Sequence, residues 1–228
     1  MDFIFMLTRN DRTIEDADYI IDSVCDLGVG HIGFKDVGVP PGTMQALVNK
    51  IRGRGRLCYL EVVSTTHEAM LRSLEAGRAL GVDRILGGTD LEAAKRILGD
   101  LSGYFPFPGR PVGHPTRLEG SAALVADHSR AARAMGCGGV DLLAYRATEA
   151  DPLDLVRAAR EALTGGKLIV AGGVNSKQQI NALAQAGVDA FTIGSAVFDG
   201  AFAPGKGSLR GQIQDIQEAC DNAPGIAA

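Results

Sequence analysis

Lys167–Phe198 reads KLIVAGGVNSKQQINALAQAGVDAFTIGSAVF, and its alternation of structure-forming and structure-breaking residues decides the fold. Leu168, Ile169 and Val170 make a short apolar run of strand type, and Ala171-Gly172-Gly173-Val174 is a turn with no bulk at its tip. Asn175 or Ser176 supplies a helix cap, Ile180, Leu183 and Ala184 recur at helical spacing, and Gly187 closes the helix. Ala190–Ile193 is the next strand, and Gly194-Ser195-Ala196 is a second turn of small residues. Two strand-to-helix turns in succession, both nearly without side chains, leave backbone N–H groups facing one space. Such a space suits an anion, above all a phosphate monoester.

Outward from this stretch, the same unit repeats. Strands are expected at Phe3–Leu7, His31–Phe34, Leu57–Val63, Arg84–Leu86, Tyr104–Pro108 and Val140–Ala144, with Pro106 and Pro108 weakening the fifth. Between them fall helical patterns over Thr13–Leu27, from Pro40-Pro41-Gly42 to Ile51, from a Ser64-Thr65-Thr66 cap to Leu80, over Leu91–Leu98, Ser121–Met135 and Asp151–Leu163, with a last helix over Lys206–Ala219. Gly109–Gly120 reads as a long irregular connection. Eight strands alternating with helices predict parallel βαβ units. An open doubly wound sheet carries its glycine fingerprint after the first strand. Here the glycines follow strands seven and eight, where a closed barrel binds phosphate. The expected fold is therefore an α/β (β/α)8 TIM barrel, a parallel eight-stranded barrel with outer helices. No composition break divides residues 1–228, so one domain is expected, with a frayed tail at 222–228.

Composition excludes several classes. A formal charge of −4, with no basic run beyond the alternating Arg52-Gly53-Arg54-Gly55-Arg56, argues against a nucleic-acid partner. Cys25, Cys58, Cys137 and Cys220 lack metal-ligand or CxxC spacing and read as reduced thiols in apolar surroundings. The N-terminus MDFIFML lacks the basic region of a signal peptide, and no apolar run has membrane-spanning length. A cytoplasmic protein with no membrane partner is expected, and a homo-oligomer stays open.

The stretch IVAGGVNSKQQINALAQAGVDAFTIGSAVF resembles the C-terminal quarter of the ribulose-phosphate-binding barrel group, which includes the histidine- and tryptophan-biosynthesis barrels, thiamine-phosphate synthase, and the sugar-phosphate epimerases and decarboxylases. The resemblance implies that Gly172 and Gly173 after strand seven, and Gly194 and Ser195 after strand eight, hold a phosphate. In some barrels the same turns hold flavin mononucleotide. Elsewhere the resemblance is architectural. The chain has no DxKxxD on a strand, no paired His and Asp of the pentulose-phosphate epimerases, and no Asp or Cys on its first strand as the amino-acid-biosynthesis isomerases have.

In such barrels catalytic groups stand at the C-terminal strand ends. Glu61 and Lys35 stand out because each interrupts a strand otherwise fit for burial, where an unpaired charge is costly. They read as an acid/base couple, as a Schiff-base lysine with a carboxylate helper, or as an ion pair filling the barrel mouth. Asp36 has the opposite strand parity to Lys35 and is either a substrate-binding residue or a capping or salt-bridging one. Asp90, after Thr89, is either a substrate ligand or a helix N-cap. Arg146, beside Tyr145, either grips a substrate anion or pairs with Glu149. Arg9 is a second anion-gripping candidate, and His114 lies in the Gly109–Gly120 connection where lids and specificity elements occur. His31 begins a strand, at the end away from catalysis, and His67 and His128 fall within helices. No histidine pair has metal spacing; no cofactor is required by these residues, with Mg²⁺ and FMN left open. The sequence thus predicts an enzyme acting on a small phosphorylated metabolite, removing a proton next to a carbonyl as an isomerase, epimerase or aldolase does. Glu61 is the candidate base, and Lys35 the group that stabilises the enolate oxygen or forms an imine. The alternatives are an FMN-dependent oxidoreductase and a non-catalytic barrel that binds a phosphorylated metabolite.

Overall fold

Eight short strands line up in one parallel sheet that curls into a barrel: β1 Asp2–Met6, β2 His31–Lys35, β3 Leu57–Val62, β4 Arg84–Gly87, β5 Tyr104–Phe105, β6 Gly139–Leu142, β7 Lys167–Val170 and β8 Ala190–Ile193. The computed structural model describes residues 1–64 and 66–224. The sheet order is β6–β7–β8–β1–β2–β3–β4–β5, so β8 pairs with β1 and joins the two ends of the chain. Between β5 and β6 the ring is completed by two backbone hydrogen bonds, Gly138 N to Tyr104 O at 3.1 Å and Asp141 N to Pro106 O at 3.0 Å. Pro106 and Pro108 explain why β5 stops at two residues rather than running to 108, since proline has no N–H for a ladder.

The helices pack around the outside: α1 Ala17–Val24, α2 Pro41–Gly53, α3 His67–Leu80, α4 Leu91–Leu98, α5 Ala122–Ala134, α6 Pro152–Ala162, α7 Lys177–Gln185, the single turn α8 Ser195–Phe198, and α9 Leu209–Asp221. Their caps follow from sequence. Thr66, Asp90, Ser121, Asp151, Ser176 and Ser208 each accept a backbone N–H of the first turn. Of the Ser64-Thr65-Thr66 group it is Thr66 that caps α3, and Thr65 lies outside the described residues, as does the tail from 225 to 228. Among the described residues no helix is long and apolar enough to cross a membrane.

Strand alternation divides the apolar residues into two sets. Outward-facing side chains such as Phe5, Phe34, Leu60 and Val170 are buried under the helices, while Ile4, Met6, Tyr59, Leu86, Phe105, Ile169 and Ala190 form a separate core inside the barrel. Gly33 makes room there, because a Cβ on it would overlap the Met6 sulfur. At the N-terminal end of the barrel His31 Nδ1 and the Tyr59 hydroxyl are 2.8 Å apart.

Two segments differ from the sequence expectation. The helix expected from Thr13 begins at Ala17, because Thr8–Arg9 and Arg12–Thr13 form a small antiparallel hairpin. The Gly109–Gly120 connection is not irregular throughout: Arg110–Val112 pairs with Arg117–Glu119. Both hairpins stand over the C-terminal end of β1 and β5, the end that carries the site.

Candidate active site

The first hairpin has a two-residue loop, Asn10-Asp11, with φ of 51° and 59°. Paired left-handed residues are the requirement of a type I′ turn, and Asn and Asp are the side-chain-bearing residues that best tolerate it. Thr13 fastens the hairpin to β2: its hydroxyl accepts from Lys35 N at 2.8 Å and donates to Lys35 O at 2.9 Å. The result is to aim Asp11 inward, where its side chain is 4% exposed.

Asp11 is the hub of a charge cluster. Lys35 Nζ donates to Asp11 Oδ1 at 2.9 Å and lies 3.5 Å from Glu61 Oε2. Arg146 grips Asp11 with two bonds, Nη1 to Oδ2 at 2.6 Å and Nη2 to Oδ1 at 2.7 Å. The second hairpin joins in, Thr116 N donating to Asp11 Oδ2 at 3.2 Å and Arg146 Nη1 to Thr116 O at 3.0 Å. Burial on its own pushes the Asp11 carboxyl up, but the bonds and charges of Arg146 and Lys35 outweigh it and hold the group well below the usual carboxylate range.

Directly beside this cluster are the two glycine turns. Gly172 and Gly173 have φ of 72° and 89°, and a Cβ at Gly172 would collide with the Arg146 guanidinium. Gly194 packs against Thr8, whose carbonyl oxygen would be 2.7 Å from a Cβ there. Among the described residues the amides of Gly172, Gly173, Val174, Ser195 and Ala196 donate to no protein acceptor. The turns and the side chains of Asp11, Lys35, Glu61 and Arg146 line one cavity of about 260 Å³.

Of the residues singled out in the sequence, the cavity brings together Lys35, Glu61, Arg146, Gly172, Gly173, Gly194 and Ser195. The remaining four are elsewhere. Arg9 is exposed and pairs with Asp199 at 2.7 Å. Asp36 points away from Lys35, accepting from Val63 N and Ser64 Oγ at 3.3 Å and from Ser73 Oγ, and so ties β2 to β3 and α3. Asp90 is the N-cap of α4, accepting from Ala93 N at 2.9 Å. His114 is at the exposed tip of the second hairpin, before a cis Pro115. Arg146 pairs with Asp11 rather than with Glu149, which instead accepts from Gly120 N at 2.7 Å.

Two buried acids, Asp11 in the cavity wall and Asp141 in β6, are absent from the sequence reading. Asp141, in Val140-Asp141-Leu142-Leu143, is a carboxyl within a fully buried strand, the same signal that marks Glu61. Asp11 is signalled only by the Asn-Asp pair between short polar segments. It brings a carboxylate to the barrel mouth from the hairpin that follows β1. No three His, Cys, Asp or Glu side chains among the described residues converge as metal ligands.

Comparisons with known proteins bear on the fold and on the kind of barrel. A family model described as histidine biosynthesis protein matches residues 113–202, less than half of the chain, from the second hairpin through both glycine turns. Orotidine 5'-phosphate decarboxylase from Pyrococcus horikoshii OT3 superimposes with a TM-score of 0.63 at 16% identity, over 96% of this chain and 99% of that one. A chain of a cube-shaped, highly porous protein cage designed by fusing symmetric oligomeric domains gives 0.65 at 14% identity, over 97% and 74%. No curated protein matches. The chain has the TIM-barrel fold and is similar to the phosphate-binding barrel group, with no particular member singled out.

Proposed function

We propose that this protein is an enzyme that anchors a small phosphorylated metabolite at the turns after β7 and β8 and moves a proton on the carbon next to its carbonyl, as an isomerase, epimerase or aldolase does. The observation that carries the reading is the shared cavity: uncommitted backbone N–H groups on one side, and Lys35, Glu61 and the Asp11–Arg146 pair on the other. A phosphate at the turns positions the rest of the ligand against the acids, which converts binding into orientation. Glu61 is the base. Lys35 stabilises the developing enolate oxygen electrostatically. Its bond to Asp11 supports that role over an imine, since a Schiff base requires an amine free of its proton. Arg146, resting over Gly172 and tied to Asp11, fixes the border between the two halves of the cavity.

The name of the decarboxylase neighbour, orotidine 5'-phosphate decarboxylase, supports the phosphorylated class. A cavity of about 260 Å³ is below the roughly 300–1,000 Å³ of sites for drug-sized ligands, which supports a compact metabolite over a flavin nucleotide. The deciding experiment is solvent-proton exchange. A panel of ketose, aldose and keto-acid phosphates is incubated with the protein in D₂O and the carbon-bound protons are followed by NMR. At least one compound is expected to lose a single proton next to its carbonyl, and no exchange across the panel would count against the proton-transfer reading.

The anion site is tested separately. Ser195 is the first residue of α8, and its hydroxyl accepts from Asn10 N at 3.2 Å. Ser195→Asp places a negative charge beside the proposed phosphate and is expected to weaken binding of inorganic phosphate and of phosphorylated ligands by about tenfold or more, each factor of ten being about 1.4 kcal/mol. Ser195→Ala is the neutral control. Equal affinities of the two variants by calorimetry would remove phosphate from these turns. A Gly194 substitution is a poorer probe, because any Cβ there meets Thr8.

A further inference from the structure

The floor of the cavity carries a hydroxyl that the protein itself does not use. Thr192 of β8 is 5% exposed and lines the cavity, and its hydroxyl enters no hydrogen bond among the described residues. Register fixes its direction. Thr192 pairs with Ile4 of β1, and Ile4 belongs to the core inside the barrel, as does Ala190 two residues earlier on β8. Strand alternation therefore turns Thr192 inward. Other buried hydroxyls are engaged: Thr13 with Lys35 O, Ser73 with Ala69 O, Ser129 with Val125 O. Thr116 also lacks a partner, but its hydroxyl is sealed from solvent. Thr8 lines the same cavity, with its hydroxyl against Gly194, beside the turn rather than on the floor. A hydroxyl kept in an apolar layer without a partner lowers stability, and valine has the same branched shape.

The place of Thr192 determines what it can meet. It comes two residues before Gly194, hence about 6.6 Å behind the turn proposed to hold the phosphate, from the rise of a strand residue. The sheet runs β8–β1–β2–β3. A ligand anchored at that turn and reaching Lys35 and Glu61 thus passes over Thr192 and over Met6 of β1. Met6 offers it an apolar surface, and Thr192 a group that both donates and accepts.

We propose that Thr192 is a specificity-determining residue whose hydroxyl bonds an oxygen on the second carbon of the ligand, counted from the phosphate ester. It selects phosphorylated hydroxy or keto compounds over plain alkyl phosphates. The role rests on the phosphate site read at the glycine turns, and not on the proton-transfer step.

Calorimetry with three probes tests it: inorganic phosphate, n-propyl phosphate and racemic 2-hydroxypropyl phosphate, the last two differing by one hydroxyl on the second carbon. Wild type is expected to bind 2-hydroxypropyl phosphate about three- to tenfold more tightly than n-propyl phosphate, the range for one net hydrogen bond. Thr192→Val should erase that preference and leave affinity for the other two probes unchanged, because a site built to bond an oxygen discriminates only while the bonding group is present. Thr192→Ser, which keeps the hydroxyl, should restore the preference. Thermal unfolding separates recognition from structure: Thr192→Val should melt no lower than wild type, since it removes a hydroxyl without a protein partner. A preference that survives in Thr192→Val or is missing in Thr192→Ser overturns the proposal, and a lowered Tm for Thr192→Val does so too, because the hydroxyl then serves the fold. A wild type that binds none of the three probes defeats the phosphate site and the proposal together. One that binds both organic phosphates equally defeats the proposal alone.

Discussion

Asp11→Ala is expected to lose about 3–5 kcal/mol of stability, the range for removing one partner of a buried ion pair, and with it all turnover. The size of the effect follows from what is left behind. Lys35 and Arg146 both bind the missing carboxylate, and the Lys35 side chain is only 6% exposed. Ala also forfeits the tolerance of Asp for a φ of 59°. Asp11→Asn isolates the charge, because it keeps the shape and the turn. Its unfolding should carry a further signature in pH. The Asp11 carboxyl is held well below its ordinary value, near 3.8, so its contribution is complete above that value and disappears as pH falls through it toward the folded value. Urea unfolding of wild type should therefore weaken steeply below about pH 4, and Asp11→Asn should be less stable at neutral pH but flatter in acid. Parallel curves for the two proteins would mean that the cluster does not depend on this charge.

Glu61→Gln is expected to slow substrate-proton exchange by about 10²–10⁴-fold, the usual contribution of a general base, and to leave affinity for the phosphorylated ligand within a few-fold. The separation is possible because Lys35 keeps its shorter bond, 2.9 Å to Asp11, when the 3.5 Å contact to Glu61 loses its charge. The glycine turns proposed to hold the phosphate follow β7 and β8, which do not neighbour β3 in the sheet. Exchange rates in D₂O measure the first quantity and calorimetry the second. If Glu61 only fills the barrel mouth, Gln will shift the unfolding temperature and leave the exchange rate alone.

The barrel is legible in the sequence because its determinants are local. Most strands are built on a short apolar run, six helices have a capping side chain, and the glycines after strands seven and eight mark the end of the barrel at which the proposed phosphate site is read. The inward orientation of Lys35 and Glu61 is legible for a similar reason, since alternation along a strand fixes it. What escapes is anything decided by partners far off in the chain. Arg146 has an acid three residues away in Glu149, but it binds Asp11, 135 residues distant, because both converge over the barrel mouth. Asp36, Asp90 and Arg9 are plausible ligands by type and position, but each is engaged by a local structural need: a tie between strands and helix, a helix cap, a surface pair. The Asn-Asp turn was obscured by the helical periodicity that starts beside it at Ile14. Asp141 carries the same signal as Glu61, but in the expected strand Val140–Ala144 it lies near the start, away from the C-terminal end where site groups stand.

The division of the site between the two halves of the chain bears on how the protein folds. Asp11, Lys35 and Glu61 come from the first three βα units, whereas Arg146 and the glycine turns come from the last three. In the unfolded chain these groups are separated by long loops, whose closure has an entropic cost that must be met before the contacts form. A folding intermediate consisting of the N-terminal units alone would hold the acids without an anion site, and one consisting of the C-terminal units would hold an anion site without acids. A ligand that spans the cavity touches both and stabilises only the assembled barrel, by mass action. Substrate is in that sense a non-covalent crosslink between two half-barrels, and its presence during refolding should favour their union.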